Sequence, residues 1–118
     1  MTRMFALVVL LASPAAVFAQ PKPLERTEDV IYGRKYGMCL TLDVFAPTGG
    51  GNGLGVIFCV SEGWWSDKRR VPEPLIRPFV DRGFTVFAVL HSSNPKFAIT
   101  EILPDLHRAV RFVRHKAK

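Results

Sequence analysis

The apolar run GVIFCV, Gly55 to Val60, breaks off into SEGWWSD, Ser61 to Asp67, which places a glutamate, a glycine and two tryptophans where a strand-like segment has just ended. In open α/β sheets ligands sit beyond the carboxyl ends of the strands, so a glycine-bearing turn at such a point is a candidate binding loop. A second group, His91-Ser92-Ser93, follows the apolar run FTVFAVL in the same way. A histidine beside a serine suggests proton transfer. Neighbours on an extended segment point to opposite faces, however, so His91 reads as a strand-end residue at a pocket rim rather than as a base for Ser92. His107 and His115 lie on one later segment, with Asp105 near its start. A metal centre needs more ligands converging on one face, so no metal or other cofactor is expected. Asp105 is expected to favour the positive end of a helix or to pair with Arg108.

These residues need elements to hold them. Val30 to Tyr32 predicts a short strand after the polar entry PKPLERTED, and Leu40, Leu42 and Val44, alternating with Thr41 and Asp43, predict a strand with one polar face. Thr48 to Gly55 is a glycine-rich connection. Val56 to Val60 and Phe84 to Leu90 are continuous apolar runs, the pattern of strands buried on both faces in a parallel sheet. Between them Leu75, Ile76, Phe79 and Val80 recur at helical spacing over Glu73 to Asp81, and Gly83 is placed to end that helix, which makes a βαβ unit. Ile102, Leu103, Leu106, Val110 and Val113 mark a last helix, with Thr100 as its expected cap and Pro104 near its first turn. Strands of this buried character with no later strand to pair with them read as the first part of a larger α/β sheet.

Residues 1–19 read as a signal peptide: Arg3 is the positive start, Phe5 to Ala12 the apolar stretch, and Val17 and Ala19 flank a cleavage site ahead of Gln20. The apolar stretch from Met4 to Ala19 falls short of the roughly 20 residues of a membrane span, so a secreted or periplasmic location without a membrane anchor is expected. The formal charge of the 118 residues is +6. Much of the excess sits in Arg108, Arg111, Arg114, Lys116 and Lys118, at a helix end where cations complement the macrodipole, and no zinc-finger spacing or aromatic-plus-basic signature points to nucleic acid. Cys39 and Cys59 are too few for a disulfide scaffold and are expected as buried thiols.

Four words in order, YGRKYGMCLTLDVFAP, GVIFCVSEGWW, DRGFTVFAVLHSS and LPDLHRAVRFVRHKA, make residues 20–118 resemble the N-terminal portion of an α/β-hydrolase domain, in the secreted esterase and lipase branch. The resemblance implies an incomplete α/β-hydrolase sheet, its N-terminal strands joined by two crossover helices. In that family a loop of the form HGGGW supplies backbone N–H groups to the oxyanion hole. Aligning Trp64 with the family tryptophan puts Gly63, Glu62 and Ser61 on the three glycines, so Glu62 and Gly63 are the candidate backbone donors, with the Glu62 side chain turned to solvent. Trp64, Trp65 and His91 become candidates for the substrate pocket. Acyl transfer on this fold further requires a serine in GxSxG, then an acid and a histidine. None of the nine glycines stands two residues before a serine, so the nucleophile elbow is absent.

The function so implied is the N-terminal fragment of a secreted serine carboxylic-ester hydrolase, inactive alone, whose substrate would be a small-molecule ester. The alternative is a non-catalytic exported binding or interaction protein that keeps part of a hydrolase fold.

Overall fold

The computed structural model describes residues 23–117, so the signal peptide read from residues 1–19 lies outside the described residues. Four strands, β1 (Leu24–Lys35), β2 (Met38–Pro47), β3 (Gly55–Cys59) and β4 (Thr85–Val89), form one sheet with two helices, α1 (Glu73–Asp81) and α2 (Ile99–Lys116). The strand order is β1-β2-β4-β3. β1 and β2 are antiparallel, β2 and β4 are antiparallel, and β3 and β4 run parallel, joined through α1. Tyr36 and Gly37, both at positive φ (46° and 78°), close the β1–β2 hairpin. Two central residues of that hand match the twist of the flanking strands.

The strand residues sort by parity onto the two faces. Val56, Phe58, Val86 and Ala88 pack with Ile76 and Val80 of α1, whereas Ile57, Phe87 and Val89 pack with Leu106, Ala109 and Val113 of α2. Each helix therefore covers one face. β4 lies between β2 and β3, and its Val86, Ala88 and Val89 have no exposed surface, in keeping with the apolar run that predicts it. Burying a valine completely stabilises by roughly 1.5–3 kcal/mol.

β3 behaves differently from its prediction. It is hydrogen-bonded to β4 on one side and, among the described residues, to no strand on the other. Its Val56, Ile57 and Phe58 are half-buried and Cys59 is exposed. Cys39 is exposed as well, so the two cysteines are free surface thiols rather than buried ones, and β4 separates the strands that carry them. An outward position at a strand end is what sequence cannot distinguish from an inward one inside a short apolar run.

The strand expected at Val30 to Tyr32 extends to Leu24–Lys35. The polar entry is part of the strand because its charges have a partner there. Asp43, on the expected polar face of β2, is fully buried. Its carboxylate accepts from Arg26 Nη2 at 2.7 Å and from the Asp29 N–H at 3.0 Å. The Arg26 guanidinium also lies 5.0 Å from the centre of the Phe45 ring. Asp29 has φ 57°, at the point where the β1–β2 register shifts between Thr27 and Val30. In α1, Leu75 and Phe79 are exposed and only Ile76 and Val80 are buried, so its apolar stripe is half as wide as its sequence suggests.

Arg26→Ala leaves the Asp43 carboxylate buried without its cation and should lower unfolding free energy by about 3 kcal/mol, read from the midpoint and slope of urea denaturation. A change below about 1 kcal/mol would show that the pair is incidental. The open side of β3 carries neither a charge nor a proline to blunt it. The isolated chain should consequently self-associate as its concentration rises, and a compact monomer at all concentrations in size-exclusion chromatography with light scattering would contradict this.

Candidate functional site

The carboxyl ends of the parallel strands β3 and β4 release two segments side by side: the loop Val60 to Asp67 and the segment Leu90 to Phe97. Gly63 and Trp64 are the central residues of a tight turn, at φ 57° and 66°. Glu62 and Trp65 close it by exchanging both backbone hydrogen bonds, N–H to carbonyl at 2.8 and 3.0 Å. The glycine answers one of the two left-handed positions without strain. Tryptophan at the other costs on the order of 1–2 kcal/mol, so the surrounding bonds must hold it. The Trp64 carbonyl accepts from the Asn94 N–H at 3.1 Å.

That turn decides which N–H groups are available. The Glu62 N–H is taken by the Trp65 carbonyl, whereas the N–H groups of Gly63 and Trp64 have no acceptor among the described residues. The Glu62 carboxylate is exposed and paired with Arg70, so its charge is partly neutralised. Trp65 is half-exposed and borders a cavity of about 260 Å³ with Phe58, Ser61, Glu62, Pro72 and Leu75.

Serine hydroxyls sew the two segments together. Ser66 Oγ donates to the Val60 carbonyl at 2.6 Å and accepts from the His91 N–H at 3.2 Å. The Ser66 N–H donates to Ser93 Oγ at 2.9 Å, which in turn donates to the Ser66 carbonyl at 3.3 Å. Ser92 Oγ donates in a short bond to Asp105, and the Ser92 N–H reaches the same carboxylate oxygen at 3.1 Å. Lys35 of β1 completes that group with Nζ 3.2 Å from Asp105 and 3.1 Å from Ser92 Oγ. Beside it the Tyr32 hydroxyl donates to the Leu90 carbonyl at 2.6 Å. Burial, with the Asp105 charge adding to it, pushes that hydroxyl far above the usual phenol range.

Asp105 is thus 3% exposed and bound to Lys35 and Ser92, not to Arg108 or to the start of its own helix. Arg108 instead crosses β1 and donates to the Arg34 carbonyl at 3.0 Å, over Gly33, where a Cβ would meet its side chain at 2.5 Å. The expected Thr100 cap is replaced by Ala98, whose N–H is held by the Glu101 carboxylate at 2.9 Å. Asp105 shares its buried face with Ile102 and Ala109, three residues before it and four after, and that spacing is the sequence signal for an inward carboxylate. Ser66 and Ser93 carry no such signal.

His91 is buried and borders a second cavity, of about 280 Å³, with Cys39, Thr41, Lys96 and Phe97. Its Nδ1 lies 2.6 Å from the Ser92 carbonyl, its Nε2 is buried without a partner, and its ring centre is 6.4 Å from that of Trp64. No serine hydroxyl is bonded to a histidine ring nitrogen among the described residues. His107 and His115 lie exposed on α2, and no group of three metal-ligating side chains occurs among the described residues. None of the described helices is long and apolar enough to cross a membrane.

No protein-family model and no curated protein matches the chain. Solved structures do. Esterase B from Lactobacillus rhamnosis superposes with a TM-score of 0.67 at 18% identity, over 80% of this chain and 31% of that one. A thermophilic esterase from Thermogutta terrifontis gives 0.67 at 21% identity over 76% and 34%, and its propionate-bound form matches equally well. A hormone-sensitive lipase from a metagenome library gives 0.65 at 16% identity over 80% and 30%. The chain spans about a third of the length of the structures it matches. The mixed sheet in the order β1-β2-β4-β3, with a helix on each face, is the arrangement it shares with these esterases and this lipase, and the chain has a partial α/β-hydrolase fold.

Proposed function

We propose that this chain is the N-terminal part of a secreted serine carboxylic-ester hydrolase, with the loop after β3 contributing to its oxyanion hole. The observation that carries the reading is the pair of unengaged N–H groups at Gly63 and Trp64, in a turn at the carboxyl end of β3, on a fold shared with esterases. Of the two donors expected from sequence, Gly63 keeps that role, and Trp64 takes the place of Glu62, whose N–H closes the turn. A fixed N–H donor acts where negative charge develops on the ester oxygen, and the loss of one such donor typically costs about 10²–10³ in rate. The Glu62–Arg70 pair keeps a carboxylate beside the loop from opposing that charge at full strength. Trp65 and the cavity beside it would take an apolar part of the ester.

The nucleophile, its acid and its histidine belong to a longer form of the chain. The hydroxyls of Ser66 and Ser93 donate to carbonyls and that of Ser92 to Asp105, whose charge Lys35 compensates, and none of the three meets a histidine ring nitrogen that could take its proton. A strand pairing with the open side of β3 would bring a GxSxG turn beside the Gly63 loop.

Residues 20–118 should show no covalent labelling by a fluorophosphonate probe and no burst with p-nitrophenyl acetate, and the gene extended past Lys118 should gain both along with a GxSxG motif. Stoichiometric labelling of any serine in the short chain would overturn the assignment. Expressed in a secreting bacterium, the chain should appear outside the cytoplasm with Gln20 as its first residue on N-terminal sequencing. A product that retains Met1 would argue against export.

A further inference from the structure

We infer that Ser66 is a positioning residue for the oxyanion loop: its hydroxyl fixes the turn that leaves the Gly63 and Trp64 N–H groups open to a carboxylate or ester oxygen. The inference rests on the reading of that loop given above and assigns the part of the molecule that sets its shape.

The loop between Val60 and Ser66 has few internal bonds. The Glu62–Trp65 exchange closes the turn, but nothing within the turn fixes its direction relative to the sheet. Direction comes from the base. Val60 is buried and anchored by its N–H to the Val89 carbonyl at 3.0 Å, and its own carbonyl accepts from Ser66 Oγ at 2.6 Å. A single side chain thereby joins the two sides of the loop, Val60 and Ser66. The same oxygen accepts the His91 N–H at 3.2 Å, so loop and β4 end share one hydrogen-bond centre. A hydroxyl is the group that can do both, since it donates once and accepts through its lone pairs. Ser93 adds a second clasp on the Ser66 backbone, at 2.9 and 3.3 Å, and Asn94 holds the Trp64 carbonyl at 3.1 Å.

The consequence for binding follows from Trp64. With a φ of 66° it occupies a conformation that a tryptophan leaves when released. Relaxation of Trp64 would reorient its own N–H and the peptide that links it to Gly63. Without the Ser66 hydroxyl, the Val60 carbonyl and the His91 N–H also lose their partner. The turn then gains both a reason and the freedom to relax. The two open N–H groups would no longer be held in their present orientation.

The test uses residues 20–118 labelled with ¹⁵N, kept below the concentration at which the chain self-associates, and titrated with propionate, a carboxylate that mimics the charge of the oxyanion. In the native chain the Gly63 and Trp64 amide resonances should shift in a saturable way while those of β2 do not. Ser66→Ala should weaken the binding at least tenfold with amide protection in β2 and β4 unchanged, and Ser66→Thr, which restores a hydroxyl, should recover most of it. Ser93→Ala, which removes one clasp but keeps the Ser66 hydroxyl, should fall between, and serves if Ser66→Ala does not fold. Native-like affinity in Ser66→Ala, or in Ser93→Ala where that variant has to serve, would overturn the positioning role while leaving the oxyanion reading intact. Absence of any saturable shift at Gly63 and Trp64 in the native chain would overturn both.

Discussion

A carboxylate buried in the first turns of α2 holds the candidate site together. Asp105, almost wholly removed from solvent, takes a proton-donating partner from each of two neighbours: the ammonium of Lys35 on β1 and both the hydroxyl and the N–H of Ser92 at the end of β4. An isolated buried charge is costly, and this one is tolerable because donors from the sheet surround it. The same bonds dictate where the chain leaves β4. Ser92 is pinned to α2, Leu90 is pinned to β1 through the Tyr32 hydroxyl, and His91 between them has little choice of position.

From that fixed point the candidate loop is built outward. His91 offers its N–H to Ser66, Ser93 grips the Ser66 backbone, and Ser66 draws the loop shut against Val60. The serine hydroxyls of these two segments are therefore structural joints. Ser66 and Ser93 donate to carbonyls and Ser92 to a carboxylate whose charge Lys35 compensates, whereas an attacking serine needs a base free to take its proton. The division of labour is physical: small hydroxyls make the short, directional bonds that a bend between two strand ends requires, while backbone N–H groups in the turn stay open.

Much of the architecture is legible in the residues. The α1 helix falls on Glu73–Asp81, as the spacing of Ile76 and Val80 and the position of Gly83 predict, and the central strand β4 falls within its apolar run. Legibility fails where pairing over distance decides. Nothing local in LERTED announces a strand, because what makes it one is a buried Asp43 on the neighbouring strand that receives Arg26 and the Asp29 N–H. Nothing in GVIFC distinguishes an edge strand from a central one, since the difference lies in which strands flank it. The candidate loop was visible from its glycine and its place after β3. Which of its N–H groups are free was not, because the type of turn follows from the backbone angles at Gly63 and Trp64.

The departure of this loop from three glycines follows from the same geometry. A turn with two left-handed central residues needs glycine most at one of them, and the other position can carry a side chain if its strain is offset by bonds outside the turn. Trp64 has such bonds, through Asn94 to its carbonyl and through the Ser66 seam beneath it. Glu62 stands before the left-handed pair, where its side chain is free to turn outward toward Arg70 and its backbone is used in closing the turn. A loop with a single glycine can thus expose two adjacent N–H groups. What it requires in exchange is a rigid base, and that base depends on a carboxylate forty residues farther along the chain, at Asp105.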